Sequence, residues 1–365
     1  MKSLLVRARL KTYPLYIGGG AVRQLPDLLQ KLRPVDKLFL LTDENVARHY
    51  AGAVQEQLQR SSIPSKTLLV AAGETAKSLA VCEHLYTELI EAGASRDSAI
   101  LALGGGVVGD LAGFAAATYM RGLRWAQIAT TVIAQTDSSI GGKVGVNHPL
   151  GKNLIGAFHH PEWVVIDPAH LTTLPAREVR AGMAEVIKYA VIADRRLFDL
   201  LEKKLESLVE LADMDLLTQV LRACCRIKAD VVQQDEVEKG IRMHLNFGHT
   251  MGHALEAATG YQLLRHGEAV VLGMAVATRL SVLLNMLTAA QEERLLRLLR
   301  RLYPDWPDEV DRDRVLSHLT HDKKRGHRGQ TWILLKKIGT AVICQKVPRE
   351  LVEKALESIL KGGRS

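Results

Sequence analysis

The most chemically loaded stretch of this sequence is Asn246-Phe247-Gly248-His249-Thr250-Met251-Gly252-His253, with His266 following in His266-Gly267-Glu268. His249 and His253 are four residues apart. On a helix they share one face and could reach one ion. Position 250 is threonine, so the HExxH pattern of metallopeptidases is absent. A further ligand must come from elsewhere, and Glu185 is the candidate. It lies in Met183-Ala184-Glu185-Val186-Ile187-Lys188, a largely apolar helical stretch where a carboxylate without a partner is costly. A metal or a lysine would remove that cost. Two imidazoles and a carboxylate, with one position open, suit catalytic zinc. Taken singly, each histidine could equally be structural.

A second group of residues suits anions. Gly104-Gly105-Gly106-Val107-Val108-Gly109-Asp110 follows an apolar run and opens a helical one. Glycines at 104, 106 and 109 fit G-x-G-x-x-G, which lets a pyrophosphate approach the backbone at a helix N-terminus. The usual acidic residue does not follow it. The natural ribose-binding acid comes earlier, as Asp43 in Thr42-Asp43-Glu44-Asn45, so the parts stand in an unusual order. Gly73-Glu74-Thr75-Ala76-Lys77 is a further cofactor candidate or a plain helix start. Lys228 sits on an apolar helical stripe with Leu221, Cys224 and Val232, and so needs an anionic partner or a lowered pKa. Arg242 and Asn246 share a face if their segment is α-helical. Lys143 and Lys152 flank a glycine-rich segment, Ser138 to Gly156, and Lys323 and Lys324 form a late basic pair. Together these cations suit a substrate with more than one negative charge.

The elements that must hold these residues change character along the chain. In the first half, short apolar runs (Lys37 to Thr42, Thr67 to Ala71, Ala99 to Leu103) alternate with amphipathic stretches such as Ala76 to Ala92, as in parallel βαβ units. From about Ala176 helical periodicity dominates, for example over Leu216 to Val232 and Ala269 to Leu287, with one strand signal at Thr331 to Leu335. The expected fold is therefore an α/β, Rossmann-like nucleotide-binding domain with a parallel sheet over residues 1–172. A mostly α-helical metal- and substrate-binding domain follows over 173–365.

With 365 residues and a net charge of +8, the chain is long enough for two cores and moderately basic. The mean hydropathy of +0.02 excludes a disordered class. The basic cluster Arg294, Arg297, Arg300 and Arg301 reads as a solvated helix face rather than a groove reader, so no nucleic-acid partner is expected. No membrane partner is expected either: the apolar run at the start is too short for a signal peptide core, and Ala269 to Ala277, ended by Arg279, reads as a buried helix. Four cysteines without CxxC spacing point to a reducing compartment, the cytoplasm.

Read together, the motifs closely resemble the 3-dehydroquinate synthase family. The matching segments are TDENV (42–46), GGGVVGDLAGFAAATYMRG (104–122), QTDSSIGGKVGVN (135–147), GKNLIGAF (151–158), LPAREVRAGMAEVIKY (174–189), IKADVV (227–232), LNFGHTMGHALE (245–256), HGEAV (266–270) and HDKK (321–324). The resemblance implies a homodimeric lyase of the shikimate pathway that uses NAD and zinc or cobalt. It implies conversion of the sugar phosphate 3-deoxy-D-arabino-heptulosonate 7-phosphate to 3-dehydroquinate and phosphate. It makes Glu185, His249 and His266 the metal ligands and moves His253 to the substrate side as a proton relay, with Lys188, Lys228, Glu238 and Asn246 in the catalytic set. Asp43, Asn45, Gly73, Glu74, Lys77, Gly105, Gly106, Val107, Val108, Gly109, Asp110, Thr130, Thr131, Thr172 and Thr173 fall at NAD positions. Lys143 and Lys152 lie between cofactor and substrate. Arg121 (from a neighbouring subunit), Asp137, Asn153, Arg242, Lys323 and Lys324 complete the substrate set. His160 departs from the resemblance, which leads one to expect glutamine there. The alternatives are another sugar-phosphate cyclase, making an inosose or a valiolone, and a metal-dependent polyol dehydrogenase.

Overall fold

The structure is a computed structural model that describes residues 2–32, 34–260, 263–307, 310–323 and 330–361, with only the backbone described at Lys2 and 320–323. The chain folds into two compact units, Met1–Leu174 with Asp213–Val237, and Pro175–Ala212 with Glu238–Ser365.

The first unit is built on a seven-stranded sheet in the order β1-β2-β9-β6-β5-β3-β4. The strands are β1 (Lys2–Arg7), β2 (Thr12–Ile17), β3 (Leu38–Asp43), β4 (Ser65–Val70), β5 (Ala99–Gly104), β6 (Arg124–Ala129) and β9 (Val164–Ile166). All neighbours are parallel except β1 and β2. Burial explains the apolar runs. Phe39, Leu41, Ile100 and Ala102 enter one core, while Leu38, Leu40, Leu101 and Leu103 enter another. Alternate residues thus feed opposite faces, so no polar alternation is possible in these strands. β4 lies at the edge and does alternate in burial.

The sheet reverses its direction of growth between β3 and β5, because β4 is added on one side of β3 and β5 on the other. Asp43 ends β3 and Gly104 ends β5, so both stand at the carboxyl edge beside this switch point, where open parallel sheets bind ligands. The glycine-rich segment forms a hairpin of β7 (Lys143–His148) and β8 (Gly151–Phe158), which the strand signals did not reveal. Gly145 and Gly156 face one another there. A Cβ on either would lie 2.5 Å or 2.4 Å from the opposite backbone.

The helix Met214–Gln234 belongs to the first unit, because Cys225, Ala229 and Val232 pack against Val6, Tyr13, Leu15 and Ile17. The two units are therefore not two continuous stretches divided near residue 172, although one junction does fall at 174/175.

The second unit is mostly helical, with one hairpin of β10 (Thr331–Lys337) and β11 (Thr340–Gln345). Its helix Ala176–Ala193 is almost wholly buried from Val179 on. Glycine sets how closely the helices approach. A Cβ on Gly267 would lie 1.9 Å from the Ala181 carbonyl, and one on Gly273 1.9 Å from that of Gly248. The helix His266–Leu283 is long and apolar enough to cross a bilayer, yet 78% of it is buried inside the protein.

Candidate functional site

In the second unit, three helices bring the metal candidates together. Glu185 lies mid-helix and is 1% exposed. His249 opens the helix His249–Ala258, where Gly248, at φ 81°, makes the turn that a side chain would strain. His266 opens the helix His266–Leu283. Glu185 Oε1 lies 3.5 Å from His249 Nε2 and 4.0 Å from His266 Nε2. One donor atom from each residue falls within 4.8 Å of the others. Both buried oxygens of Glu185 lack a hydrogen bond, and Lys188 Nζ, also buried, forms an ion pair with Oε2. A buried carboxylate of this kind, facing two imidazoles, is a donor set that could hold a divalent metal.

The other nitrogens of both imidazoles are already committed. His249 Nδ1 faces the Phe247 carbonyl at 3.2 Å, and His266 Nδ1 faces Glu256 Oε2 at 3.1 Å. This leaves Nε2 of each ring as the ligand atom and sets the ring orientation. The pKa of His249 is held well below 6.5, first by burial and then by Lys188, His266 and His253. The ring is therefore neutral, as a ligand must be. His253 is exposed, and its ring centroid lies 5.6 Å from that of His249 and 6.0 Å from that of His266. Glu256, 3% exposed, is a candidate functional residue that sequence reasoning passed over. Its signal was available: a carboxylate three residues after His253 on a mostly apolar helix.

Arg242 and Asn246 do not share an α-helical face. Ile241–Asn246 is a 3₁₀ helix, whose turn repeats every three residues. Arg242 is 1% exposed, and Asn246 instead donates to Glu238 Oε1 at 3.1 Å. Lys324 lies outside the described residues, and of Lys323 only the helical backbone is described.

In the first unit, β5 turns at Gly105 into the helix Gly106–Thr118. The glycines have distinct reasons. A Cβ at Gly104 would lie 2.6 Å from Val108, at Gly105 2.8 Å from Thr131, and at Gly109 2.4 Å from Gln127. Gly106 is the least crowded of the four, with a Cβ 3.2 Å from Ser138 Oγ, and its N–H begins the unpaired first turn of the helix, with Val107 and Val108 next. Asp43 accepts from the N–H groups of Asn45 and Val46, both through Oδ1. Thr130 and Thr131 follow β6 at the same sheet edge. The Thr130 hydroxyl is buried without a partner, while Thr131 caps Ala134 N at 3.1 Å. Thr172 and Thr173 lie in a 3₁₀ turn, and Thr173 Oγ1 meets the Tyr50 hydroxyl at 2.7 Å.

The turn Gly73–Lys77 and the hairpin are tied together. Lys77, 5% exposed, donates to Asp110 and to Asn153, and Asn147 donates to Glu74 Oε1 at 2.7 Å. Burial pushes the Asp110 pKa up, against the pull of Lys77. Lys143, Lys152 and Asn153 are exposed along the hairpin. Lys228 has the anionic partner its burial demands. Its Nζ lies 2.7 Å from both Asp137 Oδ1 and the Asp137 carbonyl. Arg121 is exposed in a turn where Met120, Arg121 and Gly122 all take positive φ, at 49°, 67° and 130°.

The family described as 3-dehydroquinate synthase N-terminal matches residues 67–181, and 3-dehydroquinate synthase C-terminal matches 182–325. The 3-dehydroquinate synthase of Pelotomaculum thermopropionicum is 45% identical over 94% of this chain and 93% of its own length. Among solved structures, a 2-epi-5-epi-valiolone synthase from Streptomyces hygroscopicus subsp. jinggangensis, with NAD+ and Zn2+ bound, is 30% identical with a TM-score of 0.88, covering 96% of this chain and 97% of its own. A 2-deoxy-scyllo-inosose synthase, complexed with carbaglucose-6-phosphate, NAD+ and Co2+, is 27% identical with a TM-score of 0.89, covering 99% and 100%.

Proposed function

This chain belongs to the 3-dehydroquinate synthase family, and on that premise we propose that it converts 3-deoxy-D-arabino-heptulosonate 7-phosphate to 3-dehydroquinate and phosphate. The observation that carries the reading is the buried Glu185 carboxylate, whose Oε1 faces both His249 and His266. Those three residues would hold a divalent metal, zinc or cobalt, and Glu256 would keep His266 turned towards it. When bound, NAD supplies a hydride acceptor that is regenerated within the cycle, and the metal supplies a Lewis acid for substrate hydroxyls.

The chain's own residues bind and align. Asp43 would hold the cofactor's ribose, and the Gly105–Gly109 turn its pyrophosphate, with Asn45, Gly73, Glu74, Lys77, Asp110, Thr130, Thr131, Thr172 and Thr173 around it. Lys228, braced by Asp137, and Arg242 would take the substrate carboxylate. Asn246, braced by Glu238, would take a hydroxyl. Lys143 and Lys152 would lie between cofactor and substrate and contact both, while Asn153, Arg121 and one of Lys323 and Lys324 would hold the substrate at its phosphate end. His253, beside both ligand imidazoles, would relay the hydroxyl proton, and Lys188 Nζ balances the charge of Glu185. Positioning and charge are what such a site contributes.

Arg121 would act from a neighbouring subunit, so the working form would be a homodimer. Cys82, Cys224, Cys225 and Cys344 are all free thiols, which supports a reducing compartment such as the cytoplasm.

The test is direct. Protein, substrate, catalytic NAD and zinc should release phosphate and 3-dehydroquinate without accumulating NADH. Stoichiometric NADH would point to a polyol dehydrogenase. Turnover confined to sugar phosphates without a carboxylate would point to another cyclase, against the roles given to Arg242 and Lys228.

A further inference from the structure

One buried ionisable pair lies outside both sites. His160 is 4% exposed and Glu236 9%, and His160 Nε2 lies 2.7 Å from Glu236 Oε1. The other oxygen of Glu236 accepts from the Arg9 backbone N–H at 2.8 Å. Burial alone would raise the Glu236 pKa, but these hydrogen bonds hold it below the usual carboxylate value.

The far side of the imidazole fixes its tautomer. His160 Nδ1 is buried with no partner. It lies under Gly142, where a Cβ would approach Nδ1 to 2.6 Å, and Gly142 takes a φ of 67°. An N–H at Nδ1 would be buried without an acceptor, so the fit places the ring's N–H on Nε2, where it donates to Glu236.

This pair touches two functional segments. Gly142 precedes Lys143, and the turn is fixed further by Gly141 N donating to the Tyr13 hydroxyl at 2.9 Å and His159 N to the Gly142 carbonyl at 2.8 Å. Glu236 stands just beyond the helix Met214–Gln234, which carries Lys228. Tyr13 presents its ring from β2 at 5.5 Å. His159 turns its Nε2 away, to the Leu123 carbonyl. Lys11 and Glu162 neutralise one another at 2.7 Å.

We propose that His160 is a positioning residue. Packed under Gly142 and donating from Nε2 to Glu236, it ties the Lys143 turn to Glu236 and so holds that turn for NAD binding. The proposal rests on the reading that Lys143 contacts the cofactor.

The experiment uses full-length, zinc-saturated protein and measures NAD affinity by equilibrium dialysis at neutral pH. His160→Ala removes the tie and should lose on the order of tenfold in NAD affinity, while its zinc affinity and thermal midpoint stay close to those of wild type. His160→Gln keeps an N–H donor for Glu236 and should restore the wild-type affinity. Wild-type NAD affinity in His160→Ala, or a loss in His160→Gln as large as in His160→Ala, would overturn the proposal alone. Absence of NAD binding by the wild type would overturn it together with the cofactor reading.

Discussion

Glu256 holds Nδ1 of His266 and so turns the Nε2 of that ring towards Glu185. Glu256→Gln keeps the size and can still accept a hydrogen bond, but it loses the charge that makes the imidazole a stronger base. Zinc affinity should fall by about 10–100-fold, read by competition with a chelator, while NAD affinity stays unchanged. His266→Ala removes a ligand outright. It should abolish zinc binding and metal-dependent turnover, and full activity in metal-stripped buffer would sink the assignment. The residue types at this site were legible in the sequence because imidazoles and a carboxylate in an apolar helix have few other uses. Their partners were less so. The i, i+4 spacing joined His249 to His253, whereas Glu185 comes from a helix some sixty residues earlier and meets His249 only in three dimensions. Lys228 announced its need for an anion by its place on an apolar stripe, but nothing in the sequence pattern named Asp137.

At the scale of elements, glycine controls how the ligands are presented. The helix carrying Glu185 and the helix opened by His266 approach so closely at Gly267 that a methyl group there would meet the Ala181 backbone. Gly267→Ala must push the two helices apart, and a backbone cannot rotate away as a side chain can. We expect a loss of about 1–3 kcal/mol in stability, read by urea unfolding, and weaker zinc binding than in wild type. Gly109→Ala is the milder case in the other unit, where the new methyl would strike the end of the buried Gln127 side chain and force it aside beneath the phosphate-loop helix. NAD affinity should fall there while zinc affinity holds; an unchanged NAD affinity would count against the loop's assignment. The buried strands β3 and β5 were legible because a parallel strand covered on both faces is a continuous apolar run. The β7–β8 hairpin was not, because its glycines serve close backbone approach and read as a loop. Ile241–Asn246 misled in the opposite way: its residue types allow an α-helix, and the backbone takes a 3₁₀ turn instead.

Across the whole molecule, buried histidines set the response to acid. His159, His170 and His249 all have pKa values below 6.5, chiefly through burial. The unfolded chain binds protons that the folded chain refuses, so folding is favoured at high pH. Their contribution is complete above an unfolded value of about 6.5 and is lost progressively as pH falls below it, towards the depressed native values. Urea midpoints of the metal-free, NAD-free protein should therefore drop as pH is lowered from about 7 to about 5; a constant midpoint would contradict this. Light scattering should give the mass of a dimer, and Arg121→Ala should lower turnover without lowering zinc affinity. The division of the chain was only half legible. Amphipathic periodicity over 216–232 shows that a helix has an apolar face, but not which core that face joins. That helix has a consequence for synthesis. A ribosome makes β1 and β2 about two hundred residues before it makes the helix that covers Val6, Leu15 and Ile17. Until residue 237 has emerged, the nascent first unit carries an open apolar face, which invites chaperone binding. A fragment ending at residue 174 should aggregate on expression for the same reason.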